Sequence, residues 1–144
     1  MKPAIVVVAY NRPEALRRLL RSLAALHGAV NVPLVISIDA GGEQFGQVVA
    51  VAQQFEWPLG EKRVLVRERP FGLINHVFAC GDLATEFGAI ILLEDDLVVS
   101  PQAYRYAAAS LDFYADDPQI AGISLNALWF HGITHEPFTP YLDD

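Results

Sequence analysis

Six apolar residues, AIVVVA at positions 4–9, decide how this 144-residue chain folds. Their lack of alternation is typical of a parallel strand that is covered on both faces. A short loop follows, in which Asn11 can cap a helix and Pro13 suits a first helical turn. Leucines then recur at helical spacing from Leu16 to Leu26. The sequence therefore opens with a buried strand, a short loop and an amphipathic helix.

Strand-like and helix-like patterns alternate along the rest of the chain. Apolar runs predict strands at Val32–Ile38, Arg63–Arg67, Ala89–Leu93 and Ile120–Leu125, and helical patterns cover Glu43–Phe55, Gly72–Phe87 and the segment that begins at Ser100-Pro101. This alternation predicts an α/β fold with a mostly parallel sheet flanked by helices. The length predicts a single domain over residues 1–144, in which residues 126–144 form an irregular tail.

The composition is that of a globular chain, because 53% of the residues are hydrophobic and 19% are charged. Ten basic and seventeen acidic residues give a net charge of −7, which argues against nucleic-acid binding. The single cysteine, Cys80, excludes an intrachain disulfide and is expected in the core. No apolar run reaches the roughly 20 residues of a transmembrane helix, and the start does not match a secretory signal, so we expect a cytoplasmic protein.

Charge is divided unequally between the two halves of the chain. Residues 1–69 contain nine of the ten basic residues and six acidic ones, whereas residues 70–144 contain eleven acidic residues and a single basic one, Arg105. The division indicates a cation site in the second half and arginines of the first half that can meet an anionic ligand. A solvated acidic surface is the simpler explanation for most of the eleven acidic residues.

Three consecutive carboxylates, Glu94, Asp95 and Asp96, come directly after an apolar predicted strand. In parallel sheets ligands bind beyond the carboxyl ends of the strands, near a switch in strand order. The three carboxylates repel one another there, and a divalent cation offsets that repulsion. Oxygen ligands suit Mg²⁺ or Mn²⁺. The stretch therefore indicates a metal site, with a solvated acidic loop as the alternative.

The other strand ends carry polar residues that could contact a nucleotide. Asp39 could accept a hydrogen bond from a base or a ribose, or could form an Asx turn. Arg12 could meet a phosphate or stack on a base, or could be solvated. Asn75 and His76 lie early in a predicted helix, where backbone N–H groups favour anions, although a lone histidine is more often structural. Neither a dinucleotide fingerprint nor a Walker A loop follows the first strand.

Taken in order, three stretches of the sequence resemble the GT-A glycosyltransferases: residues 8–13, 38–42 and 91–101. The last stretch is most similar to the N-acetylglucosaminyltransferase I-like group, whose metal motif is also Glu-Asp-Asp followed by a Ser/Ala-Pro helix start. The resemblance covers about residues 4–125. It implies a Rossmann-like domain that binds a nucleotide-sugar, a UDP-sugar in that family. It also implies a metal-dependent transferase that inverts configuration at the sugar.

The resemblance also implies roles for particular residues. Asp96 contacts Mn²⁺ or Mg²⁺, Glu94 and Asp95 face the ribose and the donor sugar, Asp39 and Arg12 hold the uracil side, and Asn11, Asn75 and His76 complete the nucleotide-sugar-binding set. The family's catalytic base and acceptor-binding half lie further downstream than residue 144. We therefore expect the N-terminal nucleotide-binding half of a longer enzyme, with an unidentified glycan, lipid or protein acceptor and a surface open to self-association.

Three alternatives remain open. A phosphoreceiver domain would need its acidic pair after the first strand and a later lysine, but the last lysine here is Lys62. A nucleotidyltransferase would usually show a glycine-rich phosphate loop after the first strand, where this chain has none before Pro13. A glycosyltransferase-like domain without catalysis, acting as a binding or interaction module, would hold UDP but never turn over a UDP-sugar.

Overall fold

Strands and helices alternate in the computed structural model, which describes residues 2–125. The elements are β1 (Ala4–Ala9), α1 (Pro13–Ala24), β2 (Leu34–Ile38), α2 (Phe45–Gln54), β3 (Lys62–Val66), α3 (Leu73–Gly81), α4 (Ala84–Phe87), β4 (Ile90–Glu94) and α5 (Ala103–Phe113). The strands form a four-stranded sheet in the order β3-β2-β1-β4, and each neighbouring pair is parallel. The predicted α/β fold is confirmed, whereas the predicted tail at 126–144 lies outside the described residues.

Strand β1 lies between β2 and β4 and is hydrogen-bonded to both. The chain moves outward from β1 through β2 to β3, and then returns to the opposite side of β1 as β4. The strand order therefore reverses between β1 and β4. Such a reversal opens a crevice beyond the carboxyl ends of the two strands, which is the usual ligand position in open α/β sheets.

Both faces of β1 are covered, which explains why its sequence does not alternate. Ile5, Val7 and Ala9 belong to a core with the buried leucines of α1 and with residues of α2 and α5. Val6 and Val8 pack on the other face, where Cys80 of α3 is buried. Burial of these side chains supplies most of the driving force for folding.

The edge strand β3 is more polar than the other strands, as its sequence predicts for a position near an edge. Lys62 donates hydrogen bonds of 2.9 Å to the carbonyls of Ala52 and Gln53, and it also contacts the carbonyl of Phe55. These carbonyls end α2 and have no partner within the helix. Lys62 therefore ties the end of α2 to the edge of the sheet.

Two predicted helix starts are wrong in detail. Arg12, not Asn11, is the N-cap residue of α1, and no side-chain hydrogen bond caps that helix. The Asn11 side chain instead accepts a hydrogen bond from the backbone of Gln44. Helix α5 begins at Ala103 rather than at Pro101, since the hydroxyl of Ser100 accepts a bond from the amide of Gln102 and holds a turn before the helix.

Two other predicted elements differ from the structure. The helix predicted over residues 72–87 is divided into α3 and α4, because the amides of Leu83 and Thr85 bond to carbonyls three residues back rather than four. The strand predicted at Ile120–Leu125 is wrong, since these residues pair with none of the four described strands. Within residues 2–125, the longest apolar helices fall short of what crossing a membrane requires.

Substitution of Gly60 tests how closely the loop between α2 and β3 packs against the backbone of Val32. A Cβ at this position would lie 2.3 Å from the carbonyl oxygen of Val32, which accepts the indole hydrogen bond of Trp57. We expect Gly60→Ala to lower the free energy of unfolding by about 1–3 kcal/mol because the backbone must shift. Gly46→Ala is the control, since Gly46 lies in α2 with open space around it and alanine favours a helix. If urea unfolding gave the two variants the same free energy of unfolding, the close contact between Gly60 and Val32 would be contradicted.

Candidate functional site

The polar residues that follow β1 and β4 meet at the reversal of strand order. The amide of Asp95 bonds to the carbonyl of Val8 at 3.1 Å, so pairing of the two strands continues to this residue. This register turns the Asp95 side chain inward, where 2% of it is exposed. The next residue, Asp96, is exposed at the rim of the sheet. A buried carboxylate and an exposed one therefore stand side by side where a ligand would enter.

Arg12 bridges both carboxylates. Its Nη2 lies 2.5 Å from Oδ1 of Asp95, and its Nη1 lies 2.8 Å from Oδ2 of Asp96. About half of the arginine side chain (53%) is exposed, as is 45% of Asp96. The amide of Tyr10 adds a hydrogen bond of 3.3 Å to the other oxygen of Asp95. The loop after β1 therefore supplies the counter-ion for the acidic residues after β4.

The environment shifts the pKa values of both charged partners. Burial raises the pKa of Asp95, while Arg12 and the amide of Tyr10 oppose that shift. Burial alone would lower the pKa of Arg12, but the two carboxylates outweigh it and raise the pKa above its ordinary value. Asp95 thus depends on Arg12 for its charged state, because a buried carboxylate without a counter-ion is strongly disfavoured, whereas the guanidinium is charged with or without a partner.

The carboxylate oxygens at this edge are of the kind that a hard divalent cation prefers, but they would supply only part of its ligand shell. Asp95 and Asp96 already share one cationic partner, and both supply oxygen. Among residues 2–125, no group of three or more acidic, histidine or cysteine side chains is assembled for a metal ion. Mg²⁺ commonly takes one or two carboxylates and completes its shell with water and substrate phosphates. Glu94 is exposed at the end of β4, beside this pair.

Asp39 follows β2 and is almost completely buried. Its Oδ1 accepts hydrogen bonds from the amides of Ala40 (3.0 Å) and Phe71 (2.8 Å), and its Oδ2 accepts one from Gly72 (2.9 Å). Gly72 has a φ of 75°, which favours glycine. Asp39 therefore fixes the loop that leads into α3, as a turn-forming aspartate does.

His76 and Asn75 use their side chains within the protein. Nε2 of His76 lies 2.8 Å from the hydroxyl of Ser37, and both residues are buried. Burial lowers the pKa of His76, Asp39 opposes that shift, and Arg67 adds to it. Asn75 is exposed and donates a hydrogen bond to the carbonyl of Phe71 at 3.0 Å. His76 is thus a neutral side chain that anchors α3 on β2.

Asn11 connects the loops that follow β1 and β2. Its Oδ1 accepts a hydrogen bond of 2.6 Å from the amide of Gln44. A Cβ on Gly42, whose φ is 86°, would lie 2.5 Å from the same side chain. The glycine therefore allows Asn11 to approach the loop closely. This contact holds Arg12, the next residue, in place beside the acidic pair.

Sequence reasoning missed three residues around this edge. Ser37 is the polar residue of an otherwise apolar strand, and that exception is a signal that could have identified it. Arg18 contacts the carbonyl of Asp96 at 3.4 Å. Arg67 stacks over the ring of Phe71 at 5.1 Å, and its buried Nε has no hydrogen-bond partner among the described residues. No local sequence pattern identifies Arg18 or Arg67 as residues that make these contacts.

Comparisons with known proteins identify the fold. No protein-family model and no curated protein sequence matches this chain. Solved structures do match, and they define the class as a Rossmann-like α/β fold shared with glycosyltransferases. A structure of S. aureus TarS superposes with a TM-score of 0.60 at 19% identity, covering 80% of this chain and 20% of that one.

Structures of a shorter form of TarS, residues 1–349, show the same likeness in fold. TarS 1–349 in complex with UDP gives a TM-score of 0.61 at 18% identity, over 88% of this chain and 38% of that one. TarS 1–349 in complex with UDP-GlcNAc gives a TM-score of 0.59 at 19% identity, over 88% of this chain and 37% of that one. The chain thus spans between about one fifth and two fifths of the structures that it resembles. At this identity the likeness establishes the fold.

The buried His76 predicts how stability depends on pH. Its pKa is lowered from 6.5 in the folded state, so just below pH 6.5 the unfolded chain binds more protons than the folded chain. Stability therefore falls as the pH falls through that window. We expect His76→Gln to remove this part of the pH dependence, whereas His27→Gln, at an exposed histidine, should leave it intact. Denaturant unfolding at several pH values measures the difference, and identical curves for the wild type and His76→Gln would contradict the assignment.

Asp39 provides a second test, of the loop before α3. In Asp39→Asn an amide nitrogen replaces one of the oxygens that accept backbone N–H groups, which should cost about 1–3 kcal/mol of stability. The amides of Phe71 and Gly72 should then exchange faster with deuterium, and those of β1 should change less. Asp82→Asn, at an exposed aspartate, is the matched control. Unchanged protection of the loop amides would show that Asp39 does not hold them.

Proposed function

We propose that this chain is the nucleotide-sugar-binding domain of a metal-dependent, inverting glycosyltransferase with a UDP-sugar donor. The observation that carries the proposal is the bridged pair Asp95–Arg12–Asp96, which lies where the strand order reverses. The fold likeness to TarS structures that contain UDP and UDP-GlcNAc supports the choice of donor. The resemblance of residues 91–101 to the Glu-Asp-Asp group supports it independently.

The chain's own residues have separable tasks in this proposal. Asp95 and Asp96 would hold the divalent cation by their carboxylate oxygens, which is the chemistry that Mg²⁺ and Mn²⁺ prefer. Asp95 is here added to Asp96, the metal contact that the resemblance implies. When bound, the cation neutralises the charge that develops on a departing diphosphate. Glu94, exposed at the end of β4, faces the sugar side of the donor. The carboxylate base that inversion requires is not assigned to a residue of this chain.

Asp39 can still contact the base of a nucleotide, although the protein already uses it. A carboxylate offers about four lone-pair positions, and three backbone amides occupy three of them. The free position is on Oδ2, the oxygen that accepts one bond only. An N–H of a pyrimidine base would have to reach this oxygen past the loop at Phe71 and Gly72, because Asp39 is 4% exposed. Asp39 would then serve both the loop and the nucleotide.

A second candidate is a binding module that holds UDP and performs no transfer. It is favoured by the predicted site residues that the fold already uses, since Asp39, His76 and Asn75 make hydrogen bonds within the protein. The two candidates differ in turnover. A transferase domain supplied with an acceptor would consume UDP-sugar, whereas a module would bind the donor and release it unchanged.

Calorimetric titration of UDP tests the proposal. We expect micromolar binding with Mn²⁺ present and a loss of at least about tenfold with EDTA, since the cation bridges protein and diphosphate. Asp96→Asn should weaken binding in Mn²⁺ to a similar degree, and Asp82→Asn should not. Binding that is equally tight in EDTA would refute the metal dependence. Absence of binding in both conditions would refute the nucleotide site.

A further inference from the structure

We propose that Arg12 is an intramolecular counter-ion that competes with a divalent cation for Asp95 and Asp96. The inference rests on the proposed function for the identity of the cation, and it assigns Arg12 a task that the resemblance does not imply. In this view the arginine neutralises the acidic pair until a metal ion arrives. The guanidinium then leaves the pair, and the cation takes its place.

The geometry makes the two states mutually exclusive. Arg12 places one nitrogen 2.5 Å from an oxygen of Asp95 and another 2.8 Å from an oxygen of Asp96. A magnesium ion held by the same oxygens would stand about 2.0–2.1 Å from each of them. The guanidinium now fills that space. A metal ion on these two oxygens would therefore compete with the guanidinium for the same space, and the like charges would repel each other at this distance.

Electrostatics explain why the pair needs a resident cation. Asp95 is buried, and apart from Arg12 the amide of Tyr10 is the donor that reaches it, at 3.3 Å. A charged carboxylate at such a position is costly unless it is paired. Arg18, the other arginine nearby, contacts the backbone carbonyl of Asp96 rather than a carboxylate. Arg12 is therefore the side chain that neutralises the acidic pair among the described residues, although Oδ1 of Asp95 is buried and accepts no hydrogen bond from them.

Arg12 can also leave without disturbing the core. It is the N-cap residue of α1, in the loop after β1, and about half of its side chain is exposed. Its neighbour Asn11 stays fixed by its bond to Gln44, so a change of side-chain rotamer is sufficient. A released guanidinium would stand close to any phosphate that the metal binds. Cation and anionic ligand should therefore bind cooperatively, each favouring the state in which Arg12 has moved.

Mn²⁺ titration without nucleotide tests the proposal directly. We expect Arg12→Gln to bind Mn²⁺ about tenfold tighter than the wild type or more, because a competing charge in contact has been removed. Arg12→Lys keeps the charge but cannot bridge both carboxylates, so its affinity should be intermediate. Arg18→Gln is the matched control, since it removes a charge near Asp96 without freeing a carboxylate. Its affinity should stay within about threefold of the wild type.

Thermal unfolding provides a second readout. In EDTA, Arg12→Gln should melt at a lower temperature than the wild type, since Asp95 has lost its counter-ion, and Mn²⁺ should raise the melting temperature of the variant more than that of the wild type. An Mn²⁺ affinity that is unchanged or weaker in both Arg12 variants would overturn the proposal, as would an equal gain in Arg18→Gln.

Failure of this inference is distinguishable from failure of the proposed function. If UDP binds the wild type in an Mn²⁺-dependent way but Arg12→Gln gains no Mn²⁺ affinity, the competition is refuted and the nucleotide site stands. If Arg12→Gln gains Mn²⁺ affinity but UDP does not bind, the counter-ion role is supported and the nucleotide site is refuted.

Discussion

Burial of β1 on both faces and pairing on both of its edges is the constraint on which the rest of the structure depends. All six of its side chains are buried, and it lies between β2 and β4. Because its register with β4 extends to the contact between Val8 and Asp95, it determines which acidic residue faces inward. A shift of one residue would expose Asp95 and bury Asp96 instead. The wholly apolar strand β1 therefore determines where the candidate site lies.

The ion pair of Arg12 and Asp95 beyond the end of β1 costs desolvation free energy, and the fold does not require it. A buried ion pair is weak evidence for stability, because desolvation of the two groups can exceed their mutual attraction. Apolar side chains at Arg12 and Asp95 would cover the rim of the sheet at less risk. The proposed competition with a divalent cation would give this half-exposed arginine and buried carboxylate a use that stability alone does not. The contrast with His76 is informative, since that buried residue contacts the neutral hydroxyl of Ser37 and anchors a helix.

Local patterns in the sequence predicted the sheet well and the contacts of the site poorly. The run at residues 4–9 predicted a strand covered on both faces, and the polar character of β3 predicted an edge. The strand expected at Ile120–Leu125 was wrong because a short apolar run cannot show whether a partner strand is present. The positions of Arg12 and Asp95 near strand ends could be read locally. Their pairing, between residues more than eighty positions apart, depends on strand order.

That dependence on strand order also explains why Asp39 and the acidic pair behave differently. Asp39 follows β2, one strand away from the reversal, and its oxygens are used by backbone amides of a neighbouring loop. Asp95 and Asp96 follow β4 directly at the reversal, and the amide of Tyr10 is the backbone donor that reaches Asp95. Their partner is instead a long, half-exposed side chain. A carboxylate held by backbone amides stays where it is, whereas one held by a movable arginine can exchange its partner. Of the strand ends described, the edge between β1 and β4 is therefore the one at which the proposed exchange of partners can take place.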